Sequence, residues 1–439
     1  MSPELLFLDL APEVISSILA CCDISSVIAI AQTCQYLHCL AFHKSVWQSL
    51  LENLRGRSII DLNYIPDVES LSTEDIIGVV RRLLTGPDAW NNPHPSHELV
   101  PATREITLHP ESALTDPQSV KLLPSGRYVL LLNLNQLWCW NVAENRLIWT
   151  YSAAEEHTRL LAFAAEEPGG GGSLVIMICA RTFLPAGVSE NYVDIVRVNL
   201  ETETHYSLLI ARCPDSLTDY PFQQFDIRGD FAVISIYNAP PRHMVINWQK
   251  HSHFVIKDID GQIVLLQRHI MVKTSSLDGE DEIHIVSNDA LHSFLDSDCR
   301  TLVNTDFIKQ SFSSVHVFDS PLQEGNYRVW IYTTPRTLDR SGLISYHLSI
   351  PVDGQPTWRG PTLWSEAEHV PRRFPYSGHA PVRMTGWFNG YTFLVPGPRG
   401  EGTRTRLILL RNLGPIDVGA YSASVTYITP SSIVIRYYE

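Results

Sequence analysis

No apolar run in the 439-residue sequence approaches the ~18 residues that a membrane-spanning helix needs, so no membrane partner is expected. The start, Met1-Ser2-Pro3-Glu4, lacks the basic n-region of a secretory signal peptide. None of the eight cysteines forms a C-x-x-C pair, so the sequence offers no zinc-ribbon or redox motif. They read as reduced thiols of an intracellular protein, cytoplasmic or nuclear. Basic residues are in deficit, with 33 Lys and Arg against 47 Asp and Glu and a net charge of -14. No basic stripe stands out, and no nucleic-acid partner is expected. The run Gly169 to Gly172 is followed by no Lys-Ser or Lys-Thr, and Glu166 and Glu167 beside it would repel a phosphate. No Gly-x-Ser-x-Gly elbow and no zincin pattern occurs. No cofactor is implied.

What is present is an ordinary globular composition, 44% hydrophobic and 18% charged, whose pattern changes character once. Residues 8 to about 85 carry helix-period signals. Pro12 and Glu13 suit a first helical turn, where a missing N–H costs nothing and a carboxylate meets the positive helix end. Val14, Ile15, Ile18 and Leu19 follow as an apolar face. Asp23 is placed to cap a second helix whose buried side is Val27, Ile28, Ile30, Ala31 and Cys34. Leu37, Leu40 and Ala41 continue into a third, and Ser45 to Leu51 gives a fourth turn around Trp47. Such short helices are not stable singly in water and must pack together or on a partner. Ser72 and Asp75 form an acidic variant of the capping box, opening a helix that Gly86-Pro87 ends. Asn91 to Ser96 is turn-rich and marks the domain boundary.

From about residue 100 short apolar runs of strand length alternate with turns. Tyr128–Leu132, Gln136–Asn141 and Arg146–Trp149 read as three successive antiparallel strands. Similar groupings recur at 193–210, 225–256, 262–287, 327–349 and 385–411. Roughly 340 residues at ~40–50 per blade would fill a propeller of about six to eight blades. The final run, Ser432 to Tyr438, is suited to pair with Glu105–Leu108 and so satisfy edges that an open sheet leaves bare. The expected fold is α + β multidomain: a small all-α module at 1–54, a helical connector and linker at 55–98, and a large all-β domain at 99–439.

Leu10-x-Pro12-Glu13-Val14, Ile18-Leu19, Asp23, Val27, Cys34, Leu40-Ala41 and Trp47 together resemble the F-box family, fungal type. The resemblance covers about a tenth of the chain and departs from the family pattern at Ala11, Cys22 and Leu37. It implies that the helical module binds a Skp-type adaptor and, through it, a cullin and a RING subunit. It also implies that Leu10, Pro12, Glu13, Val14, Ile18, Leu19 and Val27 lie at or near the adaptor interface, with Trp47 closing the module. The chain would then be a substrate-recognition subunit of an SCF-type ubiquitin ligase. It would be non-catalytic, and its β domain would present an unidentified protein substrate.

Two alternatives remain open on sequence. One is a propeller enzyme with an acidic central site, with Asp226, Asp230 and Asp258 near strand-like runs. The other is a scaffold that binds the adaptor without recruiting a cullin. His94-x-x-His97-Glu98 and His251-x-His253 lack a complete ligand set and read as loop and strand residues, not a metal site. Trp138 and Trp140 point to one strand face and Cys139 to the other, which suits packing between blades. Arg372, Arg373, Arg383, Arg399, Arg404 and Arg406 form the densest basic cluster; it could read an acidic or phosphorylated degron, but solvated loop residues are the favoured reading.

Overall fold

The computed structural model describes residues 7–438 other than 62, 64–66, 88–100, 112, 113, 115, 154, 156, 169–171, 185–188, 217, 238–241, 258–260, 276–280, 296–311, 334–340, 352, 353, 368–371, 375–381, 386–390, 397–403 and 411–413. Side chains of the strands between 363 and 410 lie outside the description, as do Asp258, His94, His97, Glu98 and Arg399.

After a 3-10 turn at Phe7–Asp9 come α1 (Pro12–Ala20), α2 (Ile24–Ala31), α3 (Gln35–Ala41) and α4 (Lys44–Gly56), then α5 (Thr73–Thr85). The local signals explain the boundaries. Pro12 opens α1, and Asp23 caps α2 by accepting the Ser26 N–H at 2.8 Å. Ser72 and Asp75 form a reciprocal capping box on α5. Gly86, at φ 76°, takes the turn past its end. One apolar cluster joins the five helices: Ile15 and Leu19 of α1, Val27 of α2, Leu37 of α3, Trp47, Leu50 and Leu51 of α4, and Ile76 and Val80 of α5. The connector helix therefore belongs to the same core as the four before it, and α4 runs past residue 54.

Beyond them the described residues form seven antiparallel sheets, taken in chain order, and one short helix. Sheet one is β2 (Pro117–Leu122), β3 (Tyr128–Asn133), β4 (Gln136–Asn141) and β5 (Arg146–Ser152). Sheet two is β6 (Thr158–Glu166), β7 (Ser173–Phe183), β8 (Ser189–Asn199) and β9 (Thr204–Arg212). Sheet three is β10 (Phe222–Arg228), β11 (Phe231–Ile236), β12 (Arg242–Asn247) and β13 (Ser252–Lys257). Sheet four has three strands among the described residues, β14 (Gly261–Leu265), β15 (His269–Ser275) and β16 (Asp281–Ser287). Sheet five is β17 (Phe312–Asp319), β18 (Asn326–Thr333), β19 (Ser341–Ser349) and β20 (Thr357–Ala367). Sheet six is β21 (Arg372–Phe374), β22 (Val382–Thr385), β23 (Tyr391–Pro396) and β24 (Arg404–Leu410). Sheet seven is β25 (Ile416–Val418), β26 (Ser424–Ile428) and β27 (Ile433–Tyr437), completed at its outer edge by β1 (Arg104–Leu108). There Leu108 faces Ile433 and Arg104 faces Tyr437, so the first strand of the domain covers the edge of the last sheet. The sheets follow one another along the chain as the blades of a β-propeller do.

Period-2 patterning places the core between sheets. β3 and β11 are buried along their whole length because both faces are covered. Trp138 and Trp140 of β4 enter the cluster shared with sheet seven, while Cys139 between them enters the cluster shared with sheet two. Ala232, Ile234 and Ile236 of β11 face sheet two, whereas Phe231 and Val233 face sheet four. Each fully buried Val, Ile or Phe here contributes ~1.5–3 kcal/mol of burial, which makes inter-sheet packing the main support of the domain. A short helix at Asn288–Leu295 breaks the β pattern, which the strand-type signals of this region do not announce. Its Leu291 packs with Phe254 and Ile256 of β13.

Candidate docking face and its seat on the β domain

In α1 the apolar residues divide between two faces. Ile15 and Leu19, one turn apart, are fully buried in the helical core. Val14 and Ile18, also one turn apart, are 45% and 39% exposed. Phe7 and Leu8 just before the helix and Tyr36 of α3 are exposed as well. Among the described residues, five of the twelve exposed large hydrophobic residues thus fall within the first 36 positions, a density that marks an unpartnered apolar surface. The residues singled out in the sequence occupy two different places. Pro12, Glu13, Val14 and Ile18 are at the surface and Leu10 is half-buried against the core. Leu19, Val27 and Trp47 are inside it, at 0%, 1% and 2% exposure. The Trp47 ring stacks on Phe42 with centroids 5.8 Å apart, which holds the end of α3 against α4.

Other residues of the helical module seat it on the β domain. Leu322 and Tyr421 pack against the helical core. The Ser25 N–H donates to the Leu322 carbonyl at 3.1 Å, the Arg57 guanidinium to the Ser320 carbonyl at 2.8 Å, and Arg328 to the Leu84 carbonyl at 3.2 Å. After α4 the chain runs under sheets one and seven. Asp61, 3% exposed, accepts the Tyr437 hydroxyl at 3.0 Å and the Asn63 N–H at 2.8 Å. Asn63 in turn donates to the Gly126 carbonyl. Gly126, at φ 73°, leaves room that a Cβ would close, since that atom would fall 1.7 Å from the Asp61 carboxylate.

Beneath this seat, polar bonds link one sheet to another. Glu167 accepts the Ser125 N–H at 3.3 Å and Glu166 the Gly229 N–H at 2.7 Å. Arg228 pairs with Asp319, whose N–H donates to the Tyr421 hydroxyl at 2.9 Å. Burial raises the carboxyl pKa of Glu166 and of Glu167. For Arg228 burial works against the charge, but Asp319, Tyr421 and Tyr327 together outweigh it and the guanidinium is held more firmly protonated. Burial and then Asp319 raise the Tyr421 hydroxyl.

The inner strands β2, β10 and β25 bring Lys121, Asp226 and Asp417 within electrostatic reach: Lys121 acts on both acids. Burial, the larger effect, raises both carboxyls, that of Asp417 to about 6. Each acid is engaged by backbone. Asp226 accepts from Ile227 at 2.9 Å and from Leu265 of β14, and Asp417 from Val418 and from Leu122 of β2. Both therefore stitch one inner strand to another at the last residue of β14 or β2, a role the sequence does not reveal. Asp230 lies apart, accepting from Gln249 at 2.7 Å. His251 occupies a turn at φ 51° ahead of β13, so it and His253 do not share a strand face. Among the described residues no group of three or more His, Cys, Asp or Glu side chains is placed to hold a metal. Arg372 and Arg373 lie on β21, Arg383 on β22 and Arg404 and Arg406 on β24, with side chains outside the description. Among the described residues no helix is long and apolar enough to cross a membrane.

Between the helical module and sheet five lies a groove of about 490 Å³. Ser25, Leu83 and Leu84 line the helical side, and Arg328, His347 and Arg359 the sheet side. Burial lowers the pKa of the His347 imidazole, and Arg328 and Arg359 lower it further.

No family model matches the chain, and no curated protein matches it. Among solved structures it is similar to the C-terminal WD40 domain of Sif2, at 11% identity over 76% of this chain and 99% of that one, with a TM-score of 0.42. It is also similar to the WD40 domain of SCAP from fission yeast, at 12% identity over 74% and 84%, TM-score 0.39. The N-terminal domain of Nup159 is similar at 10% identity over 78% and 98%, TM-score 0.38.

Proposed function

We propose that the chain is the substrate-recognition subunit of an SCF-type cullin-RING ubiquitin ligase in the cytoplasm or nucleus. Its N-terminal helices would bind a Skp-type adaptor as an F-box, and its seven sheets would form a propeller that presents a protein substrate. The observation that carries this reading is the row of Val14 and Ile18 on α1, exposed beside Phe7 and Leu8 on a module otherwise seated by bonds to the β domain. An apolar face of this kind is covered by a partner. The seat supports the reading as well, because it fixes the β domain relative to whatever α1 binds. The chain transfers no bond in this account. It raises the local concentration of substrate beside the ubiquitin-loaded enzyme.

The test is co-expression with a Skp-type adaptor followed by size-exclusion chromatography. The full chain and a Val14→Asp, Ile18→Asp variant are compared. A one-to-one complex with the parent and none with the folded variant supports the reading. No complex with either, both proteins being folded, overturns it. A complex with adaptor that never retains a cullin would leave the scaffold alternative in its place.

A further inference from the structure

The structure assigns the cleft at the far end of sheets one and two as a docking site for an extended peptide segment of a partner protein, one with an apolar side chain set between an acidic and a basic one. The assignment stands apart from the adaptor reading, since no residue of the helical module takes part.

The helical module meets the β domain at turns between successive strands: Gly126 after β2, Ser320 after β17 and Tyr421 after β25. Neighbouring strands of an antiparallel sheet reverse direction, so the β3–β4 turn and the start of β6 lie at the other end. There a cleft of about 510 Å³ opens between sheets one and two, within the size range of ligand sites. Its walls are fixed. Asn135 donates to the Thr158 carbonyl and accepts the Leu160 N–H at 2.7 Å, which clamps the β3–β4 turn to β6. The Phe183 N–H donates to the His157 carbonyl at 3.0 Å. An entering segment meets a preformed shape, and less is lost to ordering.

Leu134 is 52% exposed and sits at φ 55°, a conformation that glycine or asparagine takes at lower cost. The fold gains neither full burial nor backbone ease from a leucine there. Its N–H donates to the Asp116 carbonyl at 3.0 Å, which brings an apolar and an acidic residue together at the rim. On the sheet-two side Arg159 is exposed, its guanidinium over the Phe183 ring at 5.4 Å from the centroid. Among the described residues neither Asp116 nor Arg159 has an ion-pair partner, and they do not pair with each other although both line the cleft. An occupant with one basic and one acidic group complements both, and its apolar side chain meets Leu134 and Phe183.

The surface beyond the cleft favours a peptide over a small molecule. Leu184, Tyr220 and Tyr237 are exposed at the same end of sheets two and three. The Tyr237 N–H donates to the Pro221 carbonyl at 2.7 Å, and buried Arg181 holds the loop before it through the Thr218 carbonyl. Tyrosines carried on a pinned loop supply contact area at low entropic cost.

The experiment pans a display library of linear heptapeptides against the full chain. A selected peptide is then labelled with fluorescein and read by anisotropy. The selected sequences are expected to set an acidic and a basic residue around an apolar one. Arg159→Glu should weaken binding about tenfold or more, and exchanging the peptide's acidic residue for lysine should restore it in that variant. Leu134→Gly should weaken binding about fivefold or more while melting close to the parent, because glycine accepts the left-handed turn. A leucine with a purely structural role would give the reverse. Lys250→Glu makes the same net-charge change as Arg159→Glu on an exposed turn at the other end of sheet three and should leave binding unchanged. No selection by the folded parent, equal weakening by Lys250→Glu, or peptides held alike by the parent and both cleft variants overturns the assignment.

Discussion

The Tyr437 hydroxyl, on β27, donates at 3.0 Å to the carboxylate of Asp61, in the segment between α4 and α5. Both groups are buried. Burial, then the neighbouring carboxylate, raises the tyrosine pKa, so this hydroxyl remains a donor throughout the physiological range. Removing only the hydroxyl with Tyr437→Phe leaves the ring packed and should cost about 1–2 kcal/mol. Asp61→Ala strands both the Tyr437 hydroxyl and the Asn63 N–H and should cost about 2–3 kcal/mol. A double-mutant cycle followed by chemical denaturation should give less than the sum, because the two changes share one bond.

Gly126 is where that connector approaches the β2–β3 turn. Gly126→Ala would place a methyl on the Asp61 carboxylate at a positive φ. Destabilisation of about 1–3 kcal/mol is expected, with increased proteolysis between α4 and α5. Gly229 has φ 55° but open space around it. Gly229→Ala should cost less, by thermal melt, and an equal cost at the two sites would show that strain and not the close approach decides.

The two faces of α1 should separate function from stability. Val14→Asp with Ile18→Asp places charges at exposed positions. It should leave the melting profile near that of the parent while weakening the proposed binding to a Skp-type adaptor by about a hundredfold or more, through desolvation of charge in an apolar contact. Leu19→Asp buries the charge in the helical core and should unfold the module itself. Circular dichroism beside the binding measurement distinguishes these outcomes.

Asp417 sets a pH dependence. Its carboxyl titrates at about 6 in the folded chain, against about 3.9 when unfolded. Between those values the folded state holds more protons, so stability falls as pH rises from about 4 to 6 and levels off above. Asp417→Asn should remove this slope. At pH 7 it should recover at most about 1–2 kcal/mol, since the group is partly open to water and its loss weakens the bond to Leu122. A stability profile of the variant parallel to the parent's across this range would exclude Asp417 as the source.

Much of the fold is legible in the residues because it is set locally. Asp23, Ser72 and Gly86 mark helix ends by side-chain or backbone chemistry that a reader can recognise, and Trp138, Cys139 and Trp140 divide between two inter-sheet clusters as alternation requires. Pairing of Glu105–Leu108 with the last strand is also foreseeable, because one unpaired edge at each end of a β domain calls for the other. The helix at Asn288–Leu295 is not, since Leu291 shows its buried side only against β13. The candidate site is legible in type but not in layout. Spacing places Ile18 and Leu19 on one apolar face, yet only packing separates the outward side chain from the inward one. The cleft of Asp116, Leu134, Arg159 and Phe183 joins residues of two sheets, and no local pattern in the sequence announces it.

The Thr103 hydroxyl donates to the Tyr437 carbonyl from 334 positions away, and β1 fills the outer edge beside β27. During synthesis the helices and β1 leave the ribosome long before the strand that completes them, so their partner edge stays bare for most of translation. Any chain cut short before β27 would expose β1 without a mate and Asp61 without its tyrosine. The seam thus couples the two ends of the β domain: the seat under the helices is finished only when β27 has been made.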